Sequence, residues 1–179
     1  MIDAASYSEP ETLKNGTVVT VRAVRADDKR RIMDAFQKLD TQSIFTRFFH
    51  HKQDLSAAEL ADATEVDFDE VVALVVTAGK GKKERIIAGA RYLLCDPAAD
   101  DARRAEVAFL VLERYQGQGL AGRLLRHLAR IARDKGVACF EAEVLPENRA
   151  MLTVFSRSKL PMTRRSEDGS IHVSLDLTG

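Results

Sequence analysis

An α/β (α+β) domain built on a mixed β-sheet is the fold this sequence predicts, and three observations carry it. Strand-like, β-branched runs alternate with helix-spaced segments along the chain. One such run passes through a glycine-rich turn, RYQGQGLAG (residues 114–122), into an amphipathic helix. Two pairs of runs lie close enough to fold back as hairpins, which makes the sheet mixed rather than all parallel.

The first strand is TVVTVRAV (residues 17–24), which alternates and is β-branched. Helical spacing follows from Asp27 to about Leu39, again in QSIFTRFFH (42–50), and after Ser56, where Ser56 and Glu59 have the spacing of a capping box. EVVALVVTAG (70–79) and RIIAGARYLL (85–94) form a hairpin across a loose basic tip, and AEVAFLVL (105–112) is the next strand. In the helix after the glycine turn, Leu120, Leu124, Leu128 and Ile131 share one face, and Gly136 supplies the stop. ACFEAEVL (138–145) is a strand, ENRAMLTVFSRS (147–158) a helix, and EDGS (167–170) turns the last hairpin. Residues 1–15 read as a flexible tail before a single domain over 16–179.

With 179 residues, 45 % hydrophobic and 30 % charged, the chain suits one globular domain with a real core. Lys plus Arg and Asp plus Glu number 27 each, so net charge gives no pull toward nucleic acid or membrane, and neither is an expected partner. No apolar run approaches the roughly 20 residues of a spanning helix. The polar N-terminus has no secretory core, so the expected location is cytoplasmic. Cys95 and Cys139 then read as reduced, buried thiols. No His or Cys spacing suits a metal: His50 and His51 are adjacent and point apart, and His127 and His172 have no spaced partners.

Gly117, Gly119 and Gly122 spell the dinucleotide fingerprint G-x-G-x-x-G, but four polar residues separate the strand from Gly117. A dinucleotide site needs the strand to run almost directly into the first glycine. The physical content of the loop survives: glycine lets backbone N–H groups approach an anion, and the helix from Leu120 adds its positive end. A phosphate-bearing ligand is the natural guest, and a bare strand-to-helix turn is the alternative.

Gln116-Gly117-Gln118-Gly119-Leu120-Ala121 fits the (Q/R)-x-x-G-x-(G/A) motif of the GCN5-related N-acetyltransferase (GNAT) superfamily. AEVAFLVL resembles that family's preceding strand, ACFEAEVL the strand that splays from it, and ENRAML the next helix start, so the resemblance covers most of residues 16–179. Within the superfamily, SIFTRFF (43–49), VDFDEVVALVV (66–76) and ENRAML (147–152) look most like bacterial Pat-type protein-lysine acetyltransferase domains. Here the domain is expected to stand alone, without the acyl-CoA-synthetase-like or cyclic-nucleotide-binding modules that often accompany it.

The resemblance implies a sheet of six to seven strands with splayed central strands that bind acetyl-CoA as co-substrate. It implies pantetheine contacts at Leu110, Val111 and Leu112, with a backbone N–H near Leu110 facing the thioester carbonyl. The pyrophosphate would lie on Gln116, Gly117, Gln118, Gly119, Leu120, Ala121 and Gly122, with Asn148 contacting the cofactor or only capping its helix. Glu106 matches the family's catalytic glutamate in an AE-x-x-F strand, with apolar neighbours expected to tune it as a base; a solvent-facing strand-end glutamate is the other reading.

Two positions depart from the family. The tyrosine that protonates the leaving thiolate in many members is Phe155 here, and Lys159-Leu160 replace a glycine–aromatic pair. Arg123, Arg126, Arg130 and Arg133 read as a solvated stripe, although Arg123 in the first helical turn invites an anion. Asp67, Asp69 and Glu70 suit a basic substrate or a plain acidic turn. The function expected is acetyl transfer to a primary amine, a protein lysine ahead of a small molecule, with a non-catalytic acyl-CoA sensor as the rival reading and a homodimer left open.

Overall fold

The computed structural model describes residues 1–39, 54–96 and 101–179. QSIFTRFFH, His50 and His51 lie outside those residues. Eight strands form one sheet in the order β1-β2-β3-β4-β5-β6-β8-β7. They are β1 (Ser8–Thr12), β2 (Val18–Ala23), β3 (Val71–Ala78), β4 (Arg85–Leu94), β5 (Arg104–Val111), β6 (Cys139–Val144), β7 (Met162–Glu167) and β8 (Ser170–Asp176). Every neighbouring pair is antiparallel except β5 with β6.

Four α-helices are described: α1 (Lys29–Gln37), α2 (Ala57–Thr64), α3 (Leu120–Asp134) and α4 (Arg149–Arg157). The main core lies between the sheet and α3 with α4, where Leu124, Leu128, Ile131 and Phe155 meet Val72, Tyr92, Val107 and Phe140. On the other face Ile32 and Ala35 of α1 pack on Val24, Ala73, Val75 and Ile86. The N-terminus of α2 is the expected capping box: Glu59 N–H donates to Ser56 Oγ, and Ser56 N–H to Glu59 Oε1, each at 3.1 Å. The C-terminus of α3 closes on Gly136 at φ 78°, with Val137 N–H reaching Ala132 O.

Residues 1–15 differ from the expected flexible tail. Ala4, Tyr7 and Leu13 are buried, and Ser8–Thr12 pair with β2 as an edge strand, where Pro10 costs no internal ladder bond. Polar SEPET carries no hydrophobic alternation, so its signal is tertiary: Glu11 meets Arg123, Arg126 and His127, and Glu9 meets Arg130. The arginine stripe of α3 is solvent-exposed at Arg126, Arg130 and Arg133, as expected, while also pairing with β1 through Arg123, Arg126 and Arg130; Arg133 instead donates to Leu177 O.

The cysteines also differ from expectation. Cys95 is exposed just beyond β4 and Cys139 is half-buried. Desolvation raises both thiols, Cys139 to about 11, so neither is a ready thiolate. No helix among the described residues is long and apolar enough to cross a membrane.

Candidate active site

β5 and β6 pair at only three rungs: Arg104 with Cys139, Ala105 with Phe140, and Glu106 with Glu141. From Val107 onward they diverge, while β5 stays paired to β4 as far as Val111. The inner edge of β5 is thus open over its second half. Cys95 N–H donates to Arg104 O and Leu112 N–H to Ile87 O, so the even-numbered backbone groups of β5 face β4. Ala138 N–H donates to Arg103 O on the other side. Strand alternation then turns the backbone groups of Val107, Phe109 and Val111 into the gap.

This narrows the expected donor, a backbone N–H near Leu110, to the two neighbours of that residue. The N–H of Leu110 is directed at Gly89 of β4, its partner in register, and the donors in the gap belong to Phe109 and Val111. Leu112 is also removed from the gap, being buried against Phe36 and Leu39.

A cleft of about 580 Å³ runs from Phe109, Leu110 and Val111 to the glycine loop. Gln116, Gly117, Gly119, Leu120, Ala121 and Gly122 border its far end, and Asn148 its side. Gln118 does not border it; its carbonyl points to Arg123, and its Oε1 is buried without a partner. Gln116 folds back to donate from Nε2 to Val111 O at 3.1 Å, so it bridges loop and strand.

Gly117 and Gly119 have φ of 80° and 82°, a left-handed conformation that disfavours any other residue. Gly122 is ordinary helix with open space beside it. Gly119 is the N-cap of α3 and offers no side chain, so the first-turn N–H groups have no capping acceptor and lie at the cleft. Lys14, Arg149 and Arg157 add positive charge around the same cleft. Bare amides, a positive helix end and three cations suit a pyrophosphate-bearing ligand.

Sequence reasoning missed these three cations. Arg149 and Arg157 are two helical turns apart with Thr153 between, a pattern readable on α4. Lys14 had no such signal, because the β1–β2 turn alone brings it to Gly119. Asn148 caps α4 by accepting from Met151 N–H at 3.3 Å while also bordering the cleft.

Glu106 is exposed on β5, on the face shared with Ala108 and Leu110. Its strand neighbours are Leu93 and Glu141, so the expected apolar setting is replaced by one open to water with a second carboxylate beside it. Ala108 and Leu110 continue into an apolar cavity of about 290 Å³ under α1 and α2, with Glu59, Asp62 and Arg91 among its polar lining. Glu106 borders neither cavity. Phe109 and Leu110 belong to both, so the two meet at the mouth of the strand gap.

Glu141 is tied to Ser174 Oγ at 2.9 Å, to Arg104 Nη1 at 3.1 Å and to His172 Nε2. Burial opposes its charge, yet the His172 and Ser174 bonds hold its carboxyl below the usual range. Phe155 lies in the core, edge-on to Phe109 with ring centroids 6.0 Å apart. The acidic trio is a turn: Asp67 Oδ1 accepts from the N–H groups of Asp69, Glu70 and Val71. Among the described residues no group of His, Cys, Asp and Glu could hold a metal ion.

The model of the acetyltransferase (GNAT) family matches residues 34–158. An acetyltransferase of Pseudomonas aeruginosa is 28 % identical over 141 residues, 79 % of this chain and 74 % of that protein. The acetyltransferase Pat of Mycolicibacterium smegmatis is 30 % identical over 148 residues, 83 % of this chain but only 43 % of its own length. The crystal structure of the GNAT domain of S. lividans PAT superposes with a TM-score of 0.85 at 34 % identity, covering 94 % of this chain and 96 % of that one.

Proposed function

The chain belongs to the GNAT family of acetyltransferases, and on that premise we propose that it carries an acetyl group from acetyl-CoA to a protein lysine, with Glu106 as general base. One observation supports this most: the open edge of β5 leads without interruption to an uncapped helix N-terminus ringed by cations. A pantetheine arm has the length and amide groups to follow the edge, and a pyrophosphate has the charge to end on the loop. The neutral composition supports no nucleic-acid or membrane partner, and the reading takes the protein as cytoplasmic.

In the transfer, the amine nitrogen forms the new C–N bond and the thioester C–S bond breaks. The carbonyl oxygen gains charge as this happens, and an N–H of Phe109 or Val111 in the gap is the available donor. A lysine side chain is protonated at neutral pH, with a pKa of about 10.4, so the proton must be removed. Glu106 takes it through a water, since it stands on the right face but outside the cavity wall. The departing thiolate takes its proton from solvent, because Phe155 has no hydroxyl and is buried. Glu59 and Asp62 beside the apolar cavity favour a cationic acceptor with an aliphatic stem, which describes lysine.

The test is thiol release from acetyl-CoA with cell lysate as acceptor, followed by mass spectrometry of the products. Acetylated protein lysines are expected, and Glu106→Gln should lower turnover by roughly 10²- to 10⁴-fold with CoA affinity retained. Products confined to small amines would replace the acceptor. Binding without any turnover would leave an acyl-CoA sensor. Size-exclusion chromatography tests the homodimer.

A further inference from the structure

We propose that Arg123 is a positioning residue that aims the phosphate-binding loop, and that the N-terminal strand β1 sets Arg123 through Glu11. The inference rests on the reading of the loop as the pyrophosphate site. A cation in the first turn of a helix is unfavourable to the helix dipole, so its presence needs a cause. The side chain points away from the cleft and is fully engaged behind the loop. Its Nη1 donates to Gln118 O and its Nη2 to Thr12 O, both at 2.9 Å, while Nε lies 3.3 Å from Glu11 Oε2.

The geometry of one peptide plane gives this its meaning. The C=O of Gln118 and the N–H of Gly119 belong to the same planar trans unit and point in opposite directions. With the carbonyl held by Arg123 at the rear, the Gly119 N–H is turned forward, toward the cleft. Gly119 then bends the chain at φ 82° into α3, whose first free N–H groups follow the same aim. A Cβ on residue 119 would meet Arg123 Nη1, so a larger residue there would have to displace the guanidinium from its place behind the loop, in addition to the strain of the backbone angle.

Glu11 is itself fixed. His127 Nε2 lies 2.7 Å from Glu11 Oε1, His127 Nδ1 lies 2.5 Å from the Tyr7 hydroxyl, and Arg126 also bonds Glu11. Burial works against the Glu11 charge, but His127 and the two arginines outweigh it and hold the carboxyl below the usual range. A rigid series therefore runs from Tyr7 through His127, Glu11 and Arg123 to the loop backbone. It makes β1, which borders the cleft only through its turn at Lys14, part of the binding apparatus.

Calorimetric titration of the full chain with CoA tests this, using Arg123→Gln, Arg123→Lys and Glu11→Gln. Both Arg123 variants should bind CoA about tenfold or more weakly, since lysine keeps the charge but cannot bridge three acceptors. Glu11→Gln, which is isosteric, should weaken binding in the same direction, and the KM for acetyl-CoA should rise more than kcat falls. An Arg123→Lys protein within threefold of wild type would overturn the proposal in favour of simple charge attraction. So would unchanged affinity in Glu11→Gln, which serves if the Arg123 variants fail to fold. Wild type that does not bind CoA overturns the functional reading as well; wild type that binds, with unaffected variants, overturns this inference alone.

Discussion

Arg22 and Asp28 form a two-pronged ion pair, with both N–O distances 2.8 Å and the carboxylate wholly out of solvent. Glu84 joins Arg22 at 2.9 Å, and Arg31 joins Asp28 at 3.0 Å, so the entry to α1 is pinned to β2 and the β3–β4 turn. Burying such charges brings little net gain, but removing one partner strands the other. Asp28→Ala should cost about 3–5 kcal/mol, read by urea denaturation. A loss under 1 kcal/mol would mean that water reaches Arg22.

The cluster on β6 and β8 should make stability depend on pH from both sides. His172 is raised above its ordinary 6.5, first by its bond to Glu143 and, against some burial, by Glu141. Its contribution is complete below 6.5 and is lost as pH climbs through the raised folded value. Glu141 and Glu143 are lowered from 4.5, so their contribution is present above 4.5 and is lost as pH falls through the folded values. The melting temperature should therefore fall on the alkaline side, and His172→Gln should flatten that limb. An identical alkaline slope in the variant would remove His172 as its source.

Lys159 has φ 65° just beyond Ser158, the C-cap of α4. Where the family often has glycine, a lysine carries the strain of a left-handed residue. Lys159→Gly should stabilise the protein by about 0.5–1 kcal/mol, with a melting temperature a few degrees higher. Destabilisation would show that the lysine side chain makes a compensating contact.

Gly119→Ala strains the left-handed backbone angle and pushes the Arg123 guanidinium out of its place behind the loop. A loss of about 1–3 kcal/mol is expected, together with loss of the stabilisation that CoA gives wild type. Gly122→Ala, in ordinary helix with free space, should be tolerated in stability and serves as the contrast.

What the sequence revealed follows from which signals are local. The glycine loop, the Ser56–Glu59 box and the amphipathic α3 are written in consecutive residues, and each formed as its pattern required. The three-rung junction of β5 and β6 fits the splay that the family resemblance implied. β1 was illegible because SEPET has neither alternation nor hydrophobicity; its pairing with β2 and its side-chain partners on α3 make it a strand. Everything that depends on β1 was lost with it, including Lys14 and the role of Arg123. Which N–H near Leu110 faces the gap was not legible, because it depends on register with β4, which is a property of two strands and not of one.

An open sheet normally has two edges at which a foreign chain can add and begin to aggregate. This one has four. The outer two are guarded, β1 by Pro10 and β7 by Arg164, Arg165 and Glu167, residues that discourage a newcomer. The inner two, created where β5 and β6 part, carry no such guards. A polypeptide inserted there would need about 4.8 Å on each side, and near the last rung that width does not exist. Close to the Glu106–Glu141 rung the two strands are still one strand spacing apart, so no further strand can be seated between them there.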